Sequence, residues 1–535
     1  MLCNTRHKCR ATIFNTYLHM HHRPEQWILI LDYGSQYTQL IARRVREQQV
    51  YCEIHPFNIS LTTFDDYPPA GIILSGGPKS VNDKDAPAFD ADILAAGVPV
   101  LGICYGLQLL ANHSVSGSVE RAERREFGRS ELIVNHDDDL LQMIPKESIV
   151  WMSHGDHIKE LSKDYEIIGH TDNARIAAVR HQSKPIFGVQ FHPEVVHTVH
   201  GKQIIKNFIT KICELEGTWT AESFIESTIR EIKQRVGDDR VLCGLSGGVD
   251  STVVATLVHK AIGNQLQCIF VDNGLLRQNE FDKVLKLYEQ ELNLPVKGIN
   301  AGEKFLTKLK GVFDPEEKRK IIGNTFIEVF DEAIVSDKSF KYLAQGTLYP
   351  DVIESISFKG PSATIKSHHN VGGLPEEMNL DLVEPVRELF KDEVRNVGRS
   401  LGIPEQFIKR HPFPGPGLGI RIISDVTKEK LEILRKADDI FISELRKNNL
   451  YDEVWQALVV LLPVQSVGVM GDERTYEFTA VLRAVTSVDG MTADWAHLSH
   501  PFLAKVSNRI INEVRGINRV AYDISSKPPS TIEWE

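Results

Sequence analysis

The segment Pro99-Val-Leu-Gly-Ile-Cys104-Tyr-Gly-Leu-Gln108 passes directly from an apolar run into a helical pattern. A short, continuous apolar run of this kind is typical of a strand buried on both faces of a sheet. Further apolar runs predict strands at 27–31, 71–74, near Ile167 and at 186–191, and amphipathic patterns predict helices at 36–47 and 201–216. Apolar strands that alternate with amphipathic helices predict a mainly parallel sheet covered on both faces.

A second series of the same kind follows the predicted helix 221–236. It begins with Val241-Leu-Cys-Gly-Leu-Ser246-Gly-Gly-Val-Asp250-Ser251-Thr252, and further strands are predicted at 267–271 and 341–345. The Pro- and Gly-rich segment 411–419 cannot lie within a helix or a central strand, so it marks a boundary. The fold class is therefore α/β, with two doubly wound, mainly parallel-sheet domains and a smaller α+β domain after them. We predict an extension at 1–27 and domains at 28–216, 217–411 and 412–535.

Length and composition limit the class of protein. The chain has 535 residues, of which 42% are hydrophobic and 25% are charged, so several globular domains are expected. Its net charge of −11 argues against a non-specific nucleic-acid binder, which needs a basic surface. No apolar run reaches the roughly 18 residues of a membrane span. The seven cysteines include no CxxC pair, which fits a reducing cytoplasm without disulfides or a zinc site.

The first 27 residues are basic, rich in histidine and without a regular hydrophobic pattern. They lack the apolar core of a secretory signal. We expect a disordered extension there.

A nucleophilic site is predicted at Cys104. A thiol on a sharp turn between a strand and a helix stands clear of the sheet, and the helix start favours its thiolate form. The apolar strand that ends in Phe191-His192-Pro193-Glu194 supplies a base and a carboxylate that can orient it. The turn Ser75-Gly76-Gly77-Pro78 offers backbone N–H groups for an oxyanion. A lone cysteine or histidine is more often structural, but the combination of three strand ends favours acyl transfer.

These motifs resemble those of the class I glutamine amidotransferases. The resemblance covers Gly102-Ile-Cys104-Tyr-Gly106, the pair His192 and Glu194, and Ser153-His154-Gly155-Asp156. It implies a thioester formed with the glutamyl group and the release of ammonia. It also implies backbone donors at Gly77 and Tyr105, with Gln108 and Asp156 near the bound glutamine.

A phosphate site is predicted at the second glycine-rich turn. Backbone N–H groups of Gly247, Gly248 and Val249 and a helix dipole can meet phosphate there. The turn has no Gly-Lys-Ser/Thr ending and no GxGxxG spacing, so it is neither a P-loop nor a dinucleotide site. Asp250 could hold Mg²⁺ against the phosphates. The hydroxyl donors are Ser246, Ser251 and Thr252, and Asp272, which ends the next strand, is expected to line the same crevice.

The Ser-Gly-Gly-Val-Asp-Ser motif with a strand-end aspartate resembles the PP-loop ATP pyrophosphatases. That resemblance implies cleavage of ATP between the α- and β-phosphates and adenylation of an oxygen. The adenylated oxygen is then a good leaving group that ammonia can displace.

The two modules in this order, with the segments that follow, resemble the family of glutamine-hydrolysing GMP synthases. Its supporting segments are 346–355, 365–375, 410–418, 468–476 and 527–535. The resemblance implies that ATP, XMP, glutamine and water give GMP, AMP, pyrophosphate and glutamate. It further implies a homodimer formed through the C-terminal segment, although the apolar runs there could equally pack internally.

The same resemblance implies roles for individual residues. Those matching XMP contacts are Arg277, Asp351, Lys527 and Glu533. The residues that match a mobile lid are Lys366, His368 and His369. The residues that match positions beside the triphosphate are Lys391 and Asp392. Without the resemblance, Lys527 and the two histidines would be interpreted as surface side chains.

Three other functions fit the sequence less well. Another PP-loop amidating enzyme, such as an NAD synthetase with a glutaminase, would carry a different glutaminase and lack the segment 527–535. A tRNA-thiolating enzyme would need paired cysteines and a basic face. A regulatory scaffold with a decayed glutaminase would not need Cys104, His192 and Glu194 together.

Overall fold

The computed structural model describes residues 26–136, 139–334, 339–355, 380–470, 473–487 and 492–535. The described residues up to 227, together with 350–355, form one compact unit, and the other described residues form a second. Within the described part of the chain, every helix is too short or too polar to cross a membrane. The predicted extension and the predicted lid residues Lys366, His368 and His369 lie outside the described residues.

The first unit is built on a nine-stranded sheet in the order β2-β1-β3-β4-β9-β8-β7-β5-β6. Its strands are β1 (Trp27–Asp32), β2 (Tyr51–Pro56), β3 (Gly71–Leu74), β4 (Val100–Ile103), β5 (Val119–Val134), β6 (Glu147–Ile158), β7 (Tyr165–His170), β8 (Ala178–His181) and β9 (Ile186–Val189). The first five strands in this order are parallel, and the other four are antiparallel. Strands β3, β4 and β9 therefore end side by side, which positions a site at their carboxyl ends.

The second unit contains a five-stranded parallel sheet in the order β12-β11-β10-β13-β14. Its strands are β10 (Arg240–Leu245), β11 (Leu266–Asp272), β12 (Val296–Asn300), β13 (Phe340–Ala344) and β14 (Asp381–Val383). Strands added after β10 lie on both of its sides, so the strand order reverses at β10. Ligands in such sheets bind beyond the carboxyl end of the strand where the order reverses.

A smaller sheet lies in the same unit. It is made of β15 (Gln456–Met470), β16 (Glu473–Thr486), β17 (Asp494–Trp495) and β18 (Ile517–Tyr522). Strand β16 pairs antiparallel with β15 and β17 and parallel with β18. One hydrophobic cluster joins Leu242 and Ile269 of the parallel sheet to Phe441 and Val459 of the C-terminal part. The parts predicted as the second and third domains thus share a core.

The helices cover the faces of these sheets. In chain order they are α1 (Thr38–Arg46), α2 (Asp92–Ala95), α3 (Tyr105–Ser114), α4 (Gly201–Asn207), α5 (Ala221–Val236), α6 (Val249–Ile262), α7 (Glu280–Gln290), α8 (Gly302–Leu309), α9 (Pro315–Ile334), α10 (Tyr349–Ser355), α11 (Lys391–Ser400), α12 (Glu405–Ile408), α13 (Lys428–Lys447) and α14 (His500–Glu513).

The predicted α/β class is confirmed, and most predicted strands are present. Strand β1 is buried along nearly its whole length because it lies between β2 and β3 under helices, which explains its unbroken apolar sequence. The helix predicted at 201–216 is shorter, since α4 gives way to a single π-helical turn at Phe208–Ile212.

Candidate active sites

Cys104 lies at the sharp turn between β4 and α3. Its φ of 52° is in the left-handed region, which a non-glycine residue adopts only at a cost. The two flanking glycines make this turn sterically possible. A Cβ on Gly106 would lie 2.5 Å from the carbonyl oxygen of Leu74, and one on Gly102 would lie 2.7 Å from the backbone of Gly106. The local sequence therefore places a thiol at the end of the parallel sheet.

His192 and Glu194 form a buried pair beside this turn. Nδ1 of His192 lies 2.7 Å from Oε1 of Glu194, and the edge of the Tyr37 ring packs against the imidazole. Strand β9 ends at Val189, so the two residues meet in a turn and not on an extended strand as their spacing suggested. Burial alone would lower the pKa of His192. The charges of Glu194 and Cys104, with hydrogen bonds to both, outweigh burial and raise that pKa well above its usual value.

The sulfur has a third polar neighbour, Gln190, which was not predicted from the sequence. Nε2 of Gln190 lies 3.6 Å from Sγ of Cys104, and the thiol faces the backbone oxygen of Ser153 at 3.9 Å. Gln190 follows β9 directly, and a polar residue at the end of a buried strand was the available signal. Cys104 is 5% exposed and His192 is 3% exposed, so bulk water has little access to the pair.

The glycine turn after β3 lies against the same residues. A Cβ on Gly76 would lie 3.1 Å from Cε1 of His192, and one on Gly77 would lie 3.2 Å from the Tyr105 ring. Such a backbone can approach a substrate oxygen closely because no side chain intervenes. The structure thus brings the predicted oxyanion residues Gly77 and Tyr105 together.

The predicted glutamine residues Gln108 and Asp156 also meet. Nε2 of Gln108 donates to the backbone oxygen of Asp156 at 3.3 Å, and the His154 ring bonds the same oxygen at 2.8 Å. Oδ2 of Asp156 is buried and has no hydrogen-bond partner among the described residues. A buried carboxylate oxygen of this kind can accept hydrogen bonds from a cationic ligand.

His154 is held in turn by Glu126, another residue that sequence analysis missed. Nε2 of His154 lies 3.3 Å from Oε2 of Glu126, and both side chains are buried. Burial would raise the pKa of Glu126, but hydrogen bonds from His154 and Ser130 outweigh burial and lower it. The pair joins strands β5 and β6 behind Asp156.

The glycine-rich turn of the second unit joins β10 to α6. Gly247 has a φ of 75°, and α6 begins at Val249, so the turn ends at a helix N-terminus. The hydroxyls of Ser246 and Ser251 are 3.1 Å apart, and Thr252 donates to the carbonyl oxygen of Gly248 at 2.7 Å. These contacts fix a compact loop at the strand where the sheet order reverses.

Asp250, in the first turn of α6, pairs through Oδ2 with Nζ of Lys391. Its Oδ1 is buried and has no hydrogen-bond partner in the described part of the chain. Gly346, just after β13, lies close by, because a Cβ there would be 3.5 Å from Cβ of Asp250. The predicted residues Lys391 and Asp392 begin helix α11. The structure thus brings Lys391 to the loop.

Asp272 ends β11, the strand beside β10. Its Oδ1 accepts a hydrogen bond from the backbone N–H of Gly274 at 2.8 Å. It therefore lies at the same edge of the sheet as the glycine-rich loop.

Arg277 belongs to a buried group of charges. Its Nε lies 3.2 Å from Oδ2 of Asp438, and its guanidinium lies over the Phe413 ring. Arg421, which is fully buried, also faces Asp438 and binds both carboxylate oxygens of Glu533, at 3.1 and 2.8 Å. Glu533 is thus fixed by a side chain distant in sequence. Neither Arg421 nor Asp438 was predicted as a site residue from the sequence.

The remaining predicted XMP residues lie in separate elements. The backbone of Lys527 pairs antiparallel with Ala493, with hydrogen bonds of 2.7 and 3.0 Å. Asp351 lies in the first turn of α10. The structure therefore gathers Arg277 and Glu533 around one group of charges and fixes the backbone of Lys527 in a β-bridge.

Three known protein families match successive parts of the chain. The glutamine amidotransferase class-I family matches residues 29–212, and the NAD synthase family matches residues 221–324. The family described as GMP synthase C terminal domain matches residues 443–534. The first match contains Cys104, the second contains Asp250, and the third contains Glu533.

Curated relatives are similar along nearly the whole chain. A protein of Fusobacterium nucleatum named GMP synthase (glutamine-hydrolyzing) is 59% identical over 509 residues, which are 95% of this chain and 99% of that protein. Proteins of the same name are 57% identical in Chlorobaculum tepidum and 54% identical in Brachyspira hyodysenteriae. In both cases the similarity again covers 95% of this chain and 99% of the relative.

Proposed function

The chain belongs to the glutamine-hydrolysing GMP synthase family, and from that premise we propose how its two sites divide the reaction. As a member it is a ligase that converts XMP to GMP, with ATP and glutamine as co-substrates. Glutamine and water give glutamate and ammonia at one site. ATP and XMP give an adenylated XMP and pyrophosphate at the other, and ammonia then displaces AMP to form GMP.

The first unit frees ammonia from glutamine. The Cys104 thiolate attacks the carboxamide carbon, and the developing oxyanion accepts hydrogen bonds from the backbone N–H groups of Gly77 and Tyr105. His192 donates a proton to the leaving nitrogen, so that ammonia departs and a thioester remains. Water, activated by the same imidazole, hydrolyses the thioester to glutamate. The carboxylate of Glu194 at 2.7 Å orients the ring and favours its protonated form.

Recognition of glutamine involves Asp156 and Gln108. The unpartnered Oδ2 of Asp156 suits the positively charged amino group of the substrate. Gln108 and His154 hold the backbone of Asp156 and so fix the direction of its side chain. Asp156 binds the amino group, and the N–H groups of Gly77 and Tyr105 bind the carboxamide oxygen. These two contacts position the carboxamide over the sulfur.

The second unit activates XMP. Backbone N–H groups of the Ser246–Thr252 loop and the start of α6 meet the phosphates of ATP, and Lys391 contacts the triphosphate. Asp250 is the residue that would hold Mg²⁺, because its Oδ1 is a buried carboxylate oxygen without a hydrogen-bond partner among the described residues. The metal would neutralise phosphate charge when bound with ATP.

XMP binds near the buried charges around Arg277. Arg277 and Lys527 supply positive charge for its phosphate, and Glu533, fixed by Arg421, accepts hydrogen bonds from the ligand. The observation that carries the whole proposal is the convergence of Cys104, His192 and Glu194 at the carboxyl ends of β4 and β9, in a chain that also carries an intact Ser246–Thr252 loop.

We further propose that the protein is a homodimer of the cytoplasm. The β15–β16 hairpin exposes four apolar side chains, and Val467 faces Tyr476 across it. Their exposed fractions are 58% at Val464, 55% at Val467, 73% at Val469 and 61% at Tyr476. A patch of this kind fits the interface with a second copy.

The proposed location in the cytoplasm fits the cysteines. Five described cysteines are all free, which is typical of a reducing compartment.

One incubation tests the assignment of substrates. We expect purified protein with Mg-ATP to release AMP and pyrophosphate only when XMP is added. AMP formation with the NAD precursor that an NAD synthetase adenylates, and none with XMP, would contradict it. The NAD synthetase alternative is not favoured, because the NAD synthase family matches residues 221–324 alone.

A further inference from the structure

Two charged side chains connect the glycine-rich loop to Arg277. Arg410 precedes the Pro- and Gly-rich segment, and Glu280 is the first residue of α7. Their positions join two backbone segments that the proposed function assigns to different ligands, ATP at Gly247 and XMP at Arg277.

The connection consists of three contacts in series. Nη1 of Arg410 donates to the carbonyl oxygen of Gly247 at 2.7 Å. Nη2 of Arg410 forms an ion pair with Oε1 of Glu280. Oε2 of Glu280 accepts a hydrogen bond from the backbone N–H of Arg277 at 2.8 Å. Each oxygen of the carboxylate and each terminal nitrogen of the guanidinium thus has a separate partner.

Arg410 acts on the part of the loop that would face phosphate. A peptide unit is planar, so its C=O and N–H groups point in opposite directions. Holding the carbonyl oxygen of Gly247 therefore sets the direction of the Gly248 N–H. The guanidinium also lies so close that a Cβ on Gly247 would be 2.8 Å from Nη1 of Arg410. The orientation of this peptide depends on the position of Arg410.

The Arg410–Glu280 pair is buried, so few other arrangements of its two side chains are possible. Glu280 is 7% exposed, and burial lowers the pKa of Arg410 to about 10. The guanidinium is still charged near neutral pH. Water cannot readily replace either partner of the pair. A movement of the Gly247 peptide must therefore either move Arg277 as well or break one of the contacts between them.

We propose that the Arg410–Glu280 pair couples the binding of ATP to the binding of XMP. The inference rests on the proposed function, since it takes the loop and Arg277 to serve those two ligands. Phosphate binding fixes the Gly247–Gly248 peptide, the guanidinium keeps its bond to that peptide, and the carboxylate then holds the backbone of Arg277 for XMP. Coupling of this kind is reciprocal, so XMP tightens ATP binding by the same factor. Arg410 and Glu280 are positioning residues.

Calorimetric titration of the full chain measures the coupling directly. The dissociation constant of XMP is determined with and without α,β-methylene-ATP, which cannot be cleaved between its α- and β-phosphates. We expect XMP to bind at least about fivefold more tightly with the analogue in the unmodified protein. In Arg410→Lys and in Glu280→Gln we expect the ratio to fall below about twofold. Lysine cannot serve two partners as a fork, and glutamine removes the charge that pairs with Arg410.

Arg399→Lys is the matched control, because Arg399 forms an exposed ion pair with Glu405 in the same unit, with Nε 2.9 Å from Oε1. Its ratio should equal that of the unmodified protein. Urea denaturation of each variant, followed by circular dichroism, reports whether the second unit is folded. A ratio near one in the unmodified protein, or an unchanged ratio in both variants, would overturn the coupling. If neither XMP nor the analogue binds the unmodified protein, the proposed function fails instead.

Discussion

Nδ1 of His192 lies 2.7 Å from Oε1 of Glu194, and the carboxylate is fully buried. Because one ring nitrogen is committed to this bond, Nε2 is left to interact with Cys104. The carboxylate thus determines both the orientation of the imidazole and the ease with which it holds a proton. Glu194 is fixed in turn at its backbone oxygen, which accepts a bond from Nε of Arg44 at 3.0 Å.

Replacing Glu194 with glutamine should change the pH profile as well as the rate. Glu194 helps to raise the pKa of His192, and the reactive thiolate–imidazolium pair is lost as pH rises through that pKa. Without the charge the pKa falls, so the alkaline limb of kcat/KM for glutamine should move to lower pH. We also expect kcat/KM to fall by about 100-fold or more. Glutaminase assays across pH measure both effects.

The control is Glu160→Gln, which changes an exposed carboxylate. An alkaline limb at the same pH in both variants would contradict the role of Glu194.

Asp250→Ala should abolish GMP formation from glutamine and from ammonia alike. Asp250 lies in the loop where ATP is activated, and both nitrogen sources need adenylated XMP. Pyrophosphate release with Mg-ATP and XMP measures this step. Asp282→Ala, which removes an exposed carboxylate from α7, should leave it unchanged. Ordinary GMP formation from ammonia in Asp250→Ala would refute the Mg²⁺ role.

Asp523→Asn should destabilise the C-terminal part of the chain. Asp523 pairs with Nη1 of the buried Arg483 at 2.6 Å, and Arg483 also binds the backbone oxygens of Thr531 and Ile532. We expect a loss of about 2 kcal/mol in the free energy of unfolding, since three carbonyl acceptors of Arg483 remain. Urea denaturation measures it.

The effect should depend on pH. Burial would raise the pKa of Asp523, but hydrogen bonds from Ser525 and the charge of Arg483 outweigh it and lower the pKa. Stability from a lowered carboxyl pKa is present above the unfolded pKa and is lost as pH falls through the folded one. The difference between Asp523→Asn and the unmodified protein should therefore shrink in acid. The exposed ion pair of Lys409 and Asp452 provides the control, and Asp452→Asn should leave the urea midpoint unchanged. Equal midpoints for all three proteins at neutral pH would contradict the prediction.

Val469→Asp should dissociate the proposed dimer. Val469 is the most exposed of the four apolar side chains on the β15–β16 hairpin, and a carboxylate there would be buried without a partner in the interface. Light scattering after size-exclusion chromatography should give twice the chain mass for the unmodified protein and the single-chain mass for the variant. A dimer that survives the substitution would place the interface elsewhere.

Local pattern was enough to predict most of the described parallel strands and the turns that follow them, but it missed β2, β12 and β14. Apolar runs such as Trp27–Asp32 and Val100–Ile103 are buried on both faces, so their sequences are distinctive. Strand β5 was missed because its first half is Glu-Arg-Ala-Glu-Arg-Arg-Glu, in which alternation is hidden by charge on both faces. The candidate nucleophile was predictable because a strand, a cysteine and glycines are adjacent in the chain.

Contacts between distant residues could not be predicted in this way. Glu126 meets His154, and Arg421 meets Glu533 112 positions away, through pairing that depends on the complete fold. The contacts of Arg410 with Gly247 and Glu280 are of the same kind. Buried charges of this type have no local sequence signal, because each residue alone is indistinguishable from a surface charge.

Cys104→Ala, assayed with each of the two nitrogen sources, tests whether one site frees nitrogen while another activates XMP. The measurement is the initial rate of GMP formation from Mg-ATP and XMP, with glutamine in one assay and ammonium in the other. We predict that the glutamine-dependent rate is lost and that the ammonium-dependent rate is largely retained. Loss of both rates in a folded protein, or retention of the glutamine-dependent rate, would contradict the division of the reaction between two sites.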